Sequence, residues 1–314
     1  MVGARSSINF MRCYSLQRKT SFRLETSHMS DNTYFHLLGP GSQPDDPDFA
    51  MNPLPITVGV ASEPPMATLE QYHNVTEALQ LIEYLLGKCT DYQGDPVHYP
   101  VADVTALDDN NRHFLDVLLG EGEVSIVVQV DETTEIQIQE SIFCGFWRVW
   151  EIQHGQRVAD RIEICPIPAC VCYHAQLYAH ESALLPPIGQ RQLMNALPLA
   201  HELLSQAGKA PQPAHVINLT SLPLTDDDRS FLADSAGQGN VRIRTRGYGE
   251  SLIVSTGLKN VWNIRCLNGL KGILLETYEV SCIPEVALAS VEDIEDSAQR
   301  LRDTYLWFKE LTHV

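Results

Sequence analysis

The 314-residue chain is 44% hydrophobic and 20% charged, an ordinary globular composition with length enough for two domains that each bury a core. A net charge of −18 sets it against phosphate-rich surfaces, which excludes nucleic acid or an anionic membrane as a main partner. No run approaches the ~20 apolar residues that span a bilayer, so membrane insertion is not expected. The eight cysteines have no disulfide-framework spacing and no signal-peptide core precedes them, which predicts reduced thiols and a cytoplasmic location.

Residues 1–28 carry Arg5, Arg12, Arg18, Lys19 and Arg23 against the single acid Glu25. That composition imitates a transit peptide; the other reading is a non-native, mis-started extension upstream of Met29. Residues 29–66 hold seven prolines and the acids Asp45, Asp46 and Asp48, and so read as an extended arm with little ladder bonding. Phe35, Leu37, Leu38, Gly39, Pro40, Met51, Leu54 and Ile56 make this arm a candidate docking element, because its apolar content exceeds what a solvated linker needs. The alternative is that these side chains cover the first domain's own edge. A helix is predicted next, from Leu69, Tyr72, Val75, Leu79, Ile82 and Leu86 at spacings of three and four.

Two stretches then answer each other across a proline-rich linker at 182–189. The run from Leu107 through Asp108, Phe114 and Leu115 to Gly120, Gly122, Val124 and Ile126 recurs as Leu224, Thr225, Phe231, Leu232, Gly237, Gly239, Val241 and Ile243, at an offset of 117. Farther on, Trp147, Glu163 and Pro168 answer Trp262, Glu279 and Pro284 at offsets of 115 and 116. This order predicts a tandem duplication, with one copy over 67–181 and the other over 190–314. A period near 117 makes each copy a domain rather than a solenoid unit. Each reads as a helix, a short strand (101–105; 215–220), a second helix ending at Gly-x-Gly, four strands, and a closing helix after the proline. Strands grouped between helices predict an α+β fold, a mostly antiparallel sheet with flanking helices in each copy. Val291, Ile294, Ala298, Leu301, Tyr305 and Phe308 mark the last helix, with Ser290 and Asp293 as its capping box. Its stripe is expected on the second copy's sheet, the alternative being a partner helix.

Cys165, Cys170, Cys172 and His174 are the candidate metal ligands, since thiolates and imidazole suit zinc or an iron–sulfur cluster. The set contains no Cys-x-x-Cys, and the second copy has only Cys282 nearby, so buried structural cysteines are the preferred reading and no cofactor is expected. Gly-x-Ser-x-Gly, the phosphate-binding loop and His-Glu-x-x-His are all absent, and a catalytic role is not expected. Charge divides unevenly: residues 67–180 carry 18 acids and 5 bases, residues 190–314 carry 15 and 12. Within the second copy Arg242, Arg244 and Arg246 alternate with Val241, Ile243 and Thr245, which places three guanidinium groups on one strand face. They read either as a solvated face pairing with local acids or as a basic stripe for a partner.

The segments Met29–Pro44, Met51–Thr57, Phe143–Val149, Tyr248–Ser251, Asn260–Trp262 and Ile283–Ala289, and Glu292 through Leu301, resemble the HupH/HyaF family of nickel–iron hydrogenase accessory proteins. The resemblance runs from about residue 29 to the end, which favours Met29 as the start. It implies a maturation chaperone acting on the hydrogenase small-subunit precursor before export, beside a thioredoxin-like HyaE/HupG-type companion. It brings no catalytic residues. A metal or iron–sulfur carrier in the same assembly process is the alternative.

Overall fold

The computed structural model describes residues 66–246, 249–270 and 272–312. The arm residues from Phe35 to Ile56 therefore lie outside the described residues. Helix α1 spans Met66–Leu69 and α2 spans Thr76–Cys89. The apolar spacing predicts one continuous helix here, but Asn74 takes a positive φ of 58° and breaks it, a backbone state that asparagine adopts readily. Strand β1 (Val101–Asp103) and helix α3 (Asp109–Leu119) follow. Next come β2 (Val124–Gln129), β3 (Thr134–Glu140), β4 (Phe146–Gln153) and β5 (Gln156–Ile164), and α4 (Ala169–Leu177). The second half repeats this order with α5 (Ala196–Gln206), β6 (His215–Asn218) and α6 (Asp226–Ala236). Its remaining strands are β7 (Val241–Arg246), β8 (Glu250–Ser255), β9 (Val261–Leu267) and β10 (Ile273–Val280). After Pro284 only a single 3-10 turn forms, Glu285–Ala287, before α7 (Val291–Thr312).

The ten strands form one antiparallel sheet in the order β1-β5-β4-β3-β2-β7-β8-β9-β10-β6. Read outward from the centre, both halves have the same strand order. They meet at β2 and β7, where Ile126 lies directly opposite Ile243, its counterpart at the offset of 117. A local two-fold axis therefore passes through the middle of the sheet. Two separate sheets are expected from the repeat alone; the structure fuses them.

Local devices recur across that axis. Asp108 caps α3 by accepting the Asn111 N–H, and Thr225 caps α6 by accepting the Asp228 N–H. Gly120 and Gly237 end these helices at φ 55° and 68°. The indole Nε1 of Trp147 donates to Cys165 O at 2.8 Å, and that of Trp262 donates to Ser281 O at 3.2 Å. Glu163 and Glu279 stand opposite these tryptophans in register, and Pro168 and Pro284 share one extended conformation.

One sheet face carries a central core that both halves fill, with Ile126, Trp147, Ile243 and Trp262 in its floor and α4 packed over β7. The opposite face carries two flanking cores. One, under α2 and α3, is built on Phe114, Phe143, Phe146 and Ile162; the other, under α5 and α6, on Phe231, Val261, Tyr278 and Val280. The last helix corrects the expectation that it packs on the second copy. Its Ile294, Leu301, Tyr305 and Phe308 complete the core of the first half, with Phe308 4.9 Å from Phe114 between ring centroids. The crossing starts where Ala289 N donates to Pro166 O at 3.0 Å, which also explains why no longer helix follows Pro284. Ser290 caps α7 as its sequence predicts, accepting the Asp293 N–H at 3.0 Å.

Candidate functional site: the uncovered face of the central strands

Strand side chains alternate between faces, so half of those on β3, β2, β7 and β8 point away from the central core. The two helix-covered cores leave them out. Two registered rows run across this surface. The first is Arg148, Gln139, Ser125, Arg244, Leu252; the second is Trp150, Gln137, Val127, Arg242, Val254. Of the residues on β3, β2, β7 and β8 in these rows, none belongs to either helix-covered core. Val127, at the centre, is 36% exposed.

The walls are the inner edges of the helical layers. On one side Asp116 of α3 approaches Arg148 at 3.4 Å. On the other a cleft of about 470 Å³ continues the floor beneath α6, between Ala233 and Asp234 above and Val254, Asn263 and Arg265 below. Arg229 of α6 and Arg265 both contact Glu276 at this wall.

The electrostatics of the floor are uneven. Arg148 is buried and grips Asp160 with two bonds, Nε to Oδ1 at 2.5 Å and Nη2 to Oδ2 at 2.9 Å. Its Nη1 is sealed from solvent without a hydrogen bond, because the Asp116 contact is long. Trp150 Nε1 is likewise buried without an acceptor, beneath the Arg157 guanidinium 5.1 Å from the ring centre. Arg244 Nε lies 2.6 Å from Glu250 Oε1, so its charge is compensated, yet its N–H has no in-line acceptor. Arg242 and Arg246 are exposed and have no side-chain partner among the described residues. The sequence places the three arginines on one face, and the structure agrees: their burial alternates with that of Val241 and Ile243. Of the two readings, pairing with a local acid describes Arg244, and Glu250 also stands opposite Arg246 in register. Arg148, Trp150 and Gln137 are the floor residues that sequence reasoning passes over; the period-two pattern of β3 and β4 is the signal that would locate them.

The candidate metal ligands stand on the other face and near its edge. Cys165 directly follows β5, fully buried, and burial drives its thiol well above the ordinary range. Burial also pushes Cys170 up to about 12, with the Glu163 carboxylate adding to the rise and Arg161 opposing it. Cys172 turns to the second half, its Sγ 3.2 Å from that of Cys282, with Gln176 Nε2 3.1 Å from the Cys172 sulfur. His174 is half-buried, and desolvation lowers its pKa. Among the described residues no three His, Cys, Asp or Glu side chains converge as metal ligands. Gly122 and Gly239 are packing glycines, since a Cβ at either would meet Ser141 O or Ser255 Oγ at 2.2 Å. Among the described residues no helix is long and apolar enough to cross a membrane.

Comparison with known proteins adds an independent line. The family described as HupH hydrogenase expression protein, C-terminal conserved region, matches twice, over residues 75–183 and 193–308. The chain is 46% identical over 280 residues to the hydrogenase-1 operon protein HyaF of Escherichia coli (strain K12), covering 88% of this chain and 98% of that one. It is 37% identical over 207 residues to the hydrogenase expression/formation protein HupH of Rhizobium leguminosarum bv. viciae, with 65% and 72% covered. It is 33% identical over 274 residues to HoxQ, a hydrogenase expression/formation protein of Cupriavidus necator, with 86% and 95% covered. A solved hydrogenase expression protein HupH from Thiobacillus denitrificans is 29% identical, covering 34% of this chain and 92% of that one at a TM-score of 0.30.

Proposed function

The chain belongs to the HupH hydrogenase expression protein family, and we propose that it is a non-catalytic maturation chaperone for a nickel–iron hydrogenase. In this reading it acts in the cytoplasm, holds the small iron–sulfur-subunit precursor before export, and works beside a thioredoxin-like companion. The names of its relatives support the hydrogenase role. One observation supports binding over catalysis: the face left open by the helices is broad and shared by both halves, with Val127 and the exposed Arg242 at its centre. Among the described residues the floor brings together no nucleophile with a base. Two family matches and the matched strand orders support an origin by tandem duplication of one unit.

Affinity capture tests the proposal. Tagged protein is co-expressed with the small-subunit and large-subunit precursors, as wild type and as Val127→Trp, which places an indole on the floor. The wild type is expected to retain the small-subunit precursor, and Val127→Trp to lose it at an unchanged melting temperature. Capture of the large subunit alone, or capture indifferent to Val127→Trp, refutes the assignment.

A further inference from the structure

Resting on that docking reading, we propose that the uncovered face receives an extended acidic segment of the partner protein, with carboxylates on Arg242 and Arg246 and an apolar side chain over Val127 and Val254. Among the described residues Arg242 and Arg246 are exposed and form no ion pair, though Glu250 stands opposite Arg246 in register, in a chain whose net charge is −18. They lie four residues apart on one strand, about 13 Å, which two acids at the same spacing in an extended segment match. Val127 is paired with Arg242 across β2 and β7, and Val254 flanks Arg242 from β8, so the apolar contact lies beside the cations.

The buried polar atoms of the floor are separate from the docking contacts. Among the described residues four buried side-chain polar atoms lack a partner, and Arg148 Nη1, Trp150 Nε1 and Arg244 Nε all belong to this face. All three are sealed from solvent, and Arg148 and Arg244 already face Asp116 and Glu250, so the docked segment is held by the exposed Arg242 and Arg246 and not by these donors. The segment docks through side chains rather than as an added strand, because β2 and β7 are interior and their backbone groups are taken by neighbours. A second copy is a poor occupant. A face-to-face dimer about a two-fold axis sets the same arginine row against itself. Nucleic acid is disfavoured by the net charge of −18, which repels a continuous phosphate chain.

The test uses the full chain and a fluorescein-labelled twelve-residue peptide of alternating Glu and Val, with a Lys and Val peptide as control, followed by anisotropy. Saturable binding of the acidic peptide is expected, weakening with added salt and at least about tenfold weaker for Arg242→Glu/Arg246→Glu. The Lys peptide is expected not to bind. Equal affinity for both peptides, or for wild type and the double variant, overturns the proposal. A wild-type dimer that the double variant dissociates also overturns it, by giving the face to a second copy. Capture of the small-subunit precursor separates the two levels. Loss with Val127→Trp but retention with Arg242→Glu/Arg246→Glu sinks the acidic chemistry and spares the docking reading. Retention with both variants sinks the docking reading itself.

Discussion

Asp228 offers the sharpest test of how the halves are built. Fully buried at the third position of α6, it accepts from Met194 N at 2.9 Å, Asn195 N at 3.1 Å and Ala196 N at 3.0 Å through Oδ1. Its Oδ2 accepts from Thr225 N at 3.0 Å and Thr225 Oγ1 at 3.1 Å. One carboxylate thus closes the amino ends of two helices, α5 and α6. Asp228→Ala orphans four backbone N–H groups; with partial rehydration the loss is about 3 kcal/mol, or roughly 4–6 °C in melting temperature for a chain of this size. Asp228→Asn keeps one acceptor oxygen but turns an amide toward the Thr225 N–H, and is expected to cost about 1–2 kcal/mol. The first half solves the same problem with the chemistry exchanged: Asp108 is the cap, Asn111 accepts from Ala78 N at 2.9 Å, and Asn111 Nδ2 donates to Asp108 at 2.9 Å. Thr225→Asp/Asp228→Asn copies that arrangement and is expected to recover most of the loss. Burial raises the Asp228 pKa, but the N–H groups of Thr225, Met194, Ala196 and Asn195 outweigh it and hold the carboxyl at about 2. A folded pKa below the unfolded value contributes stability above about pH 4, lost as pH falls toward 2. The gap between wild type and Asp228→Asn, followed by thermal melting, should therefore close over that window. Equal stability of Asp228→Asn at pH 7, or a double variant weaker than either single one, refutes the reasoning.

Phe308→Ala is expected to destabilise by about 3–5 kcal/mol and to raise hydrogen exchange in α2 and α3 before α5 and α6, since its ring packs on Phe114; faster exchange in α5 and α6 first contradicts the crossing of α7. Burial pushes the Cys89 and Cys170 thiols up to about 12, so both are expected to resist iodoacetamide at pH 8 until urea unfolds the chain. Mass spectrometry of the alkylated protein checks this, and native labelling of Cys170 counts against it. Deletion of residues 30–50 is expected to weaken capture of the small-subunit precursor at an unchanged melting temperature; a large fall in melting temperature instead makes the arm a cover for its own domain.

Local grammar was the legible part of this chain. Ser290 with Asp293, and the glycines at 120 and 237, each declare a helix end, because a cap or a positive φ is decided within a few residues. The arginine row was legible for the same reason, since period two alone assigns a face. Long-range choices were not. The stripe of α7 states that one side is buried without stating against what, and the chain carries it away from its own sheet. The break at Asn74 was hidden because helical spacing of apolar residues continues through it. The orphaned donors of Arg148 and Trp150 emerge only when β4 is laid against β3 and β5.

The fusion at β2 and β7 ties fold to site. In one half alone β2 would be an edge strand, with Ile126 and Val128 on its buried face and unpaired backbone groups along its length. Such an edge invites uncontrolled pairing. Joining the halves about Ile126 and Ile243 removes the hazard and at the same time creates the four-strand floor, which neither half possesses. The two halves then diverge where the floor needs it: Ser125, Val127 and Gln129 on one side of the axis face Arg244, Arg242 and the end of β7 on the other. A symmetric pair would bind a symmetric ligand or itself. Placing the exposed cations of the two central strands on one side only gives the surface a direction, so that a single polypeptide segment can lie across it in one orientation.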